Sequence, residues 1–307
     1  MQWTITEEDA GLCVREWIKR RLTISSKMLK YLKYREDGIQ VNGERCTVRR
    51  ILQTGDVLAL AMCDGASAEN LEPVDLPLDI LYEDSDLIVP SKPAGMPTHP
   101  SHNHWNDTVA NALAFRYNTM GIPFVFRPIN RLDRDTSGAL LIARNKLAAG
   151  ILTRHMQSGS IRKTYLAVLE GEDCPDQGII DQPLHRTAQS IIVREVCPPD
   201  APDAEPSRTE FRTLARGGGC SLVEAKPITG RTHQLRVHFA SIGHPIAGDT
   251  LYGIPNGRME RQALHARTLT FPHPSTGELL SFTAPLPADM KELIARCFPD
   301  FSEADRF

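Results

Sequence analysis

Between Arg127 and Lys146 the chain reads RPINRLDRDTSGALLIARNK, which places one carboxylate, Asp133, between Arg131 and Arg134. Neighbouring guanidinium charges favour the ionised form of such an acid. An ionised carboxylate is what a carboxylate nucleophile requires. The same residues admit a plainer reading. Asp133 would then be a structural acid in a surface ion cluster, with Asp135 and Ser137 closing a turn through side-chain to backbone bonds.

Four other segments combine rigid turns with charged or aromatic side chains. Leu87-Ile88-Val89 runs through Ser91-Lys92 into Pro93-Ala94-Gly95, a strand ending in a turn; Lys92 there is either structural or close to an anionic backbone. Arg162-Lys163-Thr164-Tyr165-Leu166-Ala167-Val168 is a strand whose Tyr165 is either core or a stacking surface with a hydroxyl for proton transfer. Thr229-Gly230-Arg231-Thr232-His233-Gln234-Leu235-Arg236-Val237-His238 is a turn opening a helix, a natural anion site. Within it Arg231 is a candidate partner for Asp133. Ala263-Leu264-His265-Ala266 reads as a core strand carrying a hydrogen-bonded histidine. No metal site is expected: His233 and His238 are five apart rather than four, and His99, His102 and His104 lack a carboxylate at a recognisable spacing.

These groups need elements to hold them. From Pro77 onward short alternating strands dominate, and the periodicity predicts helices over 107–117, 146–158, 231–242 and 286–297. No strand–helix alternation with a glycine-rich phosphate loop is present. The expected class is α+β: a mixed, largely antiparallel β-sheet with flanking helices. Pro90 inside a strand implies an edge or a bulge.

Residues 1–63 read as a separate small unit, residues 64–76 as a polar, proline-bearing linker, and residues 77–307 as the main domain. In the small unit, Leu12, Val14, Trp17, Ile18 and Leu22 have helical spacing. Ser25-Ser26 can cap a second helix, and Val41-Asn42-Gly43 enters a hairpin turn. The net charge of −3 conceals an asymmetry, because residues 15–50 hold eleven Lys or Arg against four acids. That basic module on an acidic body points to a phosphate-bearing partner. Seven scattered cysteines without a Cys-x-x-Cys pair suggest neither disulfides nor structural zinc. The apolar run Val57 to Cys63 is too short for a bilayer, and the N-terminus has no signal pattern, so no membrane partner and a cytoplasmic location are expected. Nothing suggests a self-complementary apolar patch, and a monomer is expected.

Helix, Ser-Ser-Lys, helix, Val-Asn-Gly and Gly-Asp over residues 11–60 resemble the S4-like α/β RNA-binding domain. The series Tyr82-Glu83-Asp84, Lys92-Pro93-Ala94-Gly95, Arg131 to Gly138, Lys163-x-Tyr165, Thr229-Gly230-Arg231-Thr232-His233-Gln234-x-Arg236 and Leu264-His265-Ala266 resembles an RluA-type pseudouridine synthase along nearly the whole chain. This resemblance implies isomerisation of a uridine in ribosomal or transfer RNA on a flipped-out nucleotide, without cofactor or metal. It implies Asp133 as the catalytic aspartate, Tyr165 as the active-site tyrosine and Arg231 as the arginine paired with the aspartate. Arg131, Lys92, Arg134, Thr232, His233 and Gln234 would contact substrate. Arg20, Arg21, Lys27, Lys30 and Lys33 of the S4-like unit would grip RNA phosphates. One position departs from the family: Asn130 stands where histidine commonly precedes Arg-Leu-Asp. A non-catalytic RNA-binding or ribosome-assembly protein on the same fold is the competing reading.

Overall fold

The computed structural model describes residues 1–22, 24, 26–61, 71–190 and 192–301, apart from the side chain of Lys27. Ser25 of the expected cap, Cys63 and residues 64–70 of the expected linker lie outside them.

The first elements are β1 (Gln2–Thr4), α1 (Val14–Trp17) continuing as a π-helical turn (Ile18–Leu22), α2 (Ser26–Tyr34), β2 (Ile39–Val41), β3 (Glu44–Arg45) and β4 (Val57–Leu60). The strands form their own sheet, ordered β1-β4-β2-β3. Helical spacing brings Val14, Trp17, Ile18 and Leu22 onto the face that covers it, and Asp9 fixes the helix by accepting the Trp17 indole N–H at 2.9 Å. Asn42 takes the left-handed conformation that its turn with Gly43 demands.

The second region begins with β5 (Asp79–Glu83), β6 (Leu87–Lys92), α3 (Val109–Thr119), β7 (Ser137–Ala139), β8 (Ile142–Ala143) and α4 (Lys146–Gln157). It continues with β9 (Arg162–Glu170), β10 (Gln177–Asp181), β11 (Leu184–Arg186), β12 (Arg194–Val196), β13 (Arg208–Gly217) and β14 (Cys220–Pro227). It ends with α5 (Gln234–Ser241), β15 (Leu264–Pro272), β16 (Leu279–Thr283) and α6 (Ala288–Cys297).

One large sheet runs β10-β13-β14-β9-β15-β7-β6-β5, with β16 beside β15 and β8 beside β6. The β15–β7 pair is parallel and the rest are antiparallel, so the expected mixed, largely antiparallel sheet is present. β11 and β12 form a separate hairpin. The strand carrying Pro90 is interior, and the missing N–H is accommodated by a register shift in β5 opposite it, between Ile80 and Tyr82. The helix expected over 231–242 starts three residues late. The Gln234 side chain accepts the Arg231 N–H at 3.0 Å, and His233 turns left-handed at φ 57°, so the segment 231–233 is a turn.

β7 lies against β15 so closely that a Cβ on Gly138 would stand 2.2 Å from the Ala266 carbonyl oxygen, and φ there is 118°. Only glycine satisfies both conditions. The β7–β15 pairing therefore fixes the end of the Asp133 turn beside β15.

Candidate active site

Asp133 lies in the turn between Arg131 and β7, with 27 % of its side chain exposed. Its surroundings pin the turn. Thr98 Oγ1 accepts the Leu132 N–H at 3.2 Å and donates to the Leu132 carbonyl at 3.0 Å. Asn130, the residue that departs from the family pattern, is buried, and its Oδ1 accepts the Leu141 N–H at 2.7 Å. Its amide oxygen holds the turn against the strand that follows.

Lys92 serves the same turn. It is 1 % exposed, and its ammonium donates to the carbonyls of Pro93, Met96 and Arg134 at 2.8, 2.7 and 2.7 Å. Burial pushes its pKa down to about 7, against the pull of Asp135 and Asp133. With its donors spent on backbone, Lys92 does not face an RNA phosphate, and its expected place among the substrate contacts is corrected to a tie beneath the Asp133 turn.

The arginine beside Asp133 is Arg236, not Arg231. Arg236 Nη1 approaches Asp133 Oδ2 at 3.4 Å, while Nε and Nη2 bond Asp249 at 2.7 and 2.8 Å. Burial works against ionisation of Asp249, yet the Arg236 guanidinium holds it below the usual carboxylate range. Arg231 is exposed and pairs with Glu205 at 3.2 Å and the Pro206 carbonyl at 3.2 Å. The late start of α5 explains the exchange: residues 231–233 form the rim of the turn, whereas Arg236, in the first turn of α5, reaches Asp133.

Gln234 is likewise an internal strut. It is buried, its oxygen accepts from Thr229 Oγ1 and the Arg231 N–H, and its nitrogen donates to the Arg208 carbonyl and Thr209 Oγ1. His233 does reach the site, with Nε2 3.9 Å from Asp133 Oδ2 and Nδ1 2.8 Å from the Tyr252 hydroxyl. Thr232 is half-buried beside it. Arg131 is exposed, and Arg134 pairs with its neighbour Asp135 at 3.0 and 2.9 Å. His265 bonds Ser137 Oγ at 2.9 Å inside the sheet, a structural histidine.

Tyr165 sits in β9, 7 % exposed, with Ala225 of β14 and Ala266 of β15 in register on either side. Registered residues on neighbouring strands share a face. Both side chains flanking the tyrosine are small. Burial, and then the charge of Asp133, push its phenol above the usual range, so it is neutral at physiological pH.

Arg236 entered the sequence reading as a member of its motif without a role, and Asp249 and Tyr252 were given none. The signal available was an arginine at an otherwise apolar stretch, Leu235-Arg236-Val237, followed by the Gly248-Asp249 turn. His238 bonds Thr209 and the Gln182 carbonyl, away from His233. Among the described residues no group of three or more His, Cys, Asp or Glu side chains is placed to hold a metal ion.

A carboxylate held between an arginine and a histidine, close enough to a buried neutral tyrosine for its charge to act on the phenol, defines a site for chemistry on a polar substrate. Residues 86–241, about half the chain, match the family described as RNA pseudouridylate synthase. The chain is 38% identical over 273 residues to the uncharacterised RNA pseudouridine synthase YjbO of Bacillus subtilis, covering 89% of this chain and 95% of that one. It is 30% identical over 308 residues to ribosomal large subunit pseudouridine synthase D of Nitrosomonas europaea, covering 96% and 87%. The solved structure of human RNA pseudouridylate synthase domain containing 1 superposes with a TM-score of 0.60 at 32% identity, over 74% of this chain and 91% of that one. The chain belongs to the RNA pseudouridine synthases and isomerises uridine in RNA to pseudouridine. Within that class it is of the RluA type.

Proposed function

We propose that Asp133 is the nucleophile of this isomerisation and that the substrate is a structured ribosomal RNA, with transfer RNA as the other source of the same uridine chemistry. The observation that carries the reading is the carboxylate of Asp133 set beside Arg236 and His233 on the sheet face that bears Tyr165. Several relatives, from Nitrosomonas and Vibrio, are named for the large ribosomal subunit, which favours ribosomal over transfer RNA.

The target uridine leaves its stack, at a cost of a few kcal/mol that backbone contacts offset. Asp133 attacks the ribose or the base, or assists departure of the base as an anion; the bond from ribose C1′ to N1 breaks, and any bond formed to the Asp133 oxygen is broken again when C5 joins C1′, returning the free carboxylate. The uracil turns, C5 bonds C1′, the C5 proton is lost and N1 gains a proton, so the net change is isomerisation. Tyr165 supports the base by stacking. A neutral phenol receives the C5 proton only in concert with passing on its own. Arg231, exposed at the rim with Arg131 and Thr232, is a contact for the RNA backbone rather than the partner of the aspartate.

The N-terminal unit supplies further grip as an S4-like domain, through Lys30 and Lys33, which are exposed on α2. Arg20 and Arg21 are engaged with Glu8 at 3.0 and 3.2 Å, and Arg21 also with Asp9. They reach phosphate only by exchanging those partners. The protein acts as a cytoplasmic monomer, and no helix among the described residues is long and apolar enough to cross a membrane.

The test is to map pseudouridines across the transcriptome of a strain lacking the protein, then restore wild type or Asp133→Asn. Wild type is expected to restore a defined ribosomal site and Asp133→Asn to restore none while binding RNA with nearly unchanged affinity. Restoration by Asp133→Asn would overturn the assignment of the nucleophile.

A further inference from the structure

The two groups nearest Asp133 approach the same oxygen. Arg236 Nη1 is 3.4 Å from Oδ2 and His233 Nε2 is 3.9 Å from Oδ2, whereas Oδ1 has no hydrogen-bond partner among the described residues. A carboxylate held by one oxygen presents the other to the cleft. That holds only if His233 offers a hydrogen, not a lone pair, from Nε2.

The surroundings of Tyr252 decide which. Its hydroxyl oxygen accepts the Arg194 N–H from β12 at 3.0 Å and lies 2.8 Å from His233 Nδ1. No third partner of the hydroxyl is recorded among the described residues. With the Arg194 N–H fixed as a donor, Nδ1 is the acceptor that the described residues offer the phenolic hydrogen. A ring accepting at Nδ1 carries its hydrogen on Nε2. The charged groups facing this ring are Asp133 from the catalytic turn, Arg236 from α5, Asp249 from the loop after it and Arg194 from β12, and burial keeps the imidazole below its usual pKa, hence neutral. His233 is moreover locked in a left-handed backbone conformation at φ 57°, which a non-glycine residue holds only when its surroundings insist.

We propose that Tyr252 is a positioning residue for the isomerisation: it fixes His233 as the Nε2–H tautomer, which turns a proton rather than a lone pair toward Oδ2, the oxygen that Arg236 bonds, and so leaves Oδ1 as the attacking atom. This rests on the reading of Asp133 as nucleophile. Tyr252 touches both donors, His233 through its hydroxyl and Arg236 through its ring, whose centroid lies 5.1 Å from the guanidinium carbon. Tyr252→Phe removes the first contact and keeps the second. The donor that sets the direction of the phenol comes from the β11–β12 hairpin, so the hairpin is wired to the aspartate.

Two measurements test this on the full-length protein. Nitrogen-15 NMR of histidine-labelled protein, with His233 assigned through His233→Gln, needs no RNA. Wild type is expected to show Nδ1 unprotonated and Nε2 protonated at neutral pH, and Tyr252→Phe a mixture of tautomers. A protonated Nδ1 in wild type would overturn the proposal whether or not the variant folds. The second is tritium release from RNA labelled at uracil C5, prepared from cells lacking the protein. Tyr252→Phe is expected to lower kcat about tenfold at unchanged KM, and to cause no further loss in a His233→Gln background, where the amide donates without help. Independent, multiplicative losses would show that Tyr252 acts by packing alone and sink the idea. If Asp133→Asn still releases tritium while the tautomer is as expected, the nucleophile assignment fails and the hydrogen-bond chain stands.

Discussion

Two arginines five residues apart have opposite consequences when removed. Arg236 is buried with Asp249, so Arg236→Gln leaves a buried carboxylate without its partner, at a cost of about 3–5 kcal/mol in unfolding free energy, and isomerisation should fall with it. Arg231→Ala breaks an exposed pair with Glu205 and should change stability by no more than about 0.5 kcal/mol. Urea unfolding of both variants checks this; equal losses would refute the assignment of Arg236. His265 gives a pH signature. Burial pushes its folded pKa to about 4 from 6.5, so between those values the unfolded chain binds more protons. Stability is therefore complete above pH 6.5 and lost as pH falls toward 4, by about 3 kcal/mol for this group. His265→Asn should show a smaller loss between pH 7 and pH 4.5 in urea titrations. At this scale Asp133 was legible because its charged neighbours adjoin it in sequence. The identity of its arginine was not, since helix start and side-chain direction decide between Arg231 and Arg236, and both depend on how Gln234 is used.

Helices α4 and α6 could be read from apolar period, because each buries side chains three and four residues apart. The onset of α5 could not, as the side chain that delays it bonds residues on β13. The parallel β15–β7 contact, joining residues 128 apart, was also invisible locally. Gly138 is its most sensitive point. Gly138→Ala forces a methyl group toward the Ala266 carbonyl in a backbone region that alanine avoids, at a cost of about 1–3 kcal/mol before any relaxation. Thermal unfolding should show a lowered Tm, and tritium release should fall as the Asp133 turn is pushed from β15. A variant with unchanged Tm and unchanged rate would contradict this account of the turn.

At the scale of the molecule, charge asymmetry along the chain pointed to a basic unit, but pairing within it was hidden. Arg20 and Arg21 are partly neutralised by Glu8 and Asp9, leaving Lys30 and Lys33 as the more available charges. Replacing both lysines with glutamine should reduce the slope of log affinity against log salt by up to about 2. Filter binding of RNA across a salt series measures it, and an unchanged slope would remove α2 from the RNA interface. Leu147 and Ile151 of α4 are buried among the N-terminal apolar side chains, and the Trp3 indole N–H donates to the Ser275 carbonyl at 2.9 Å. Each such aliphatic burial is worth about 1.5–3 kcal/mol. The N-terminal unit is thus not portable: moved to another enzyme it would arrive with part of its own interior missing, and the enzyme it left would show a greasy scar on α4. Swapping such units between synthases to redirect them would have to carry the outer face of α4 along as part of the graft.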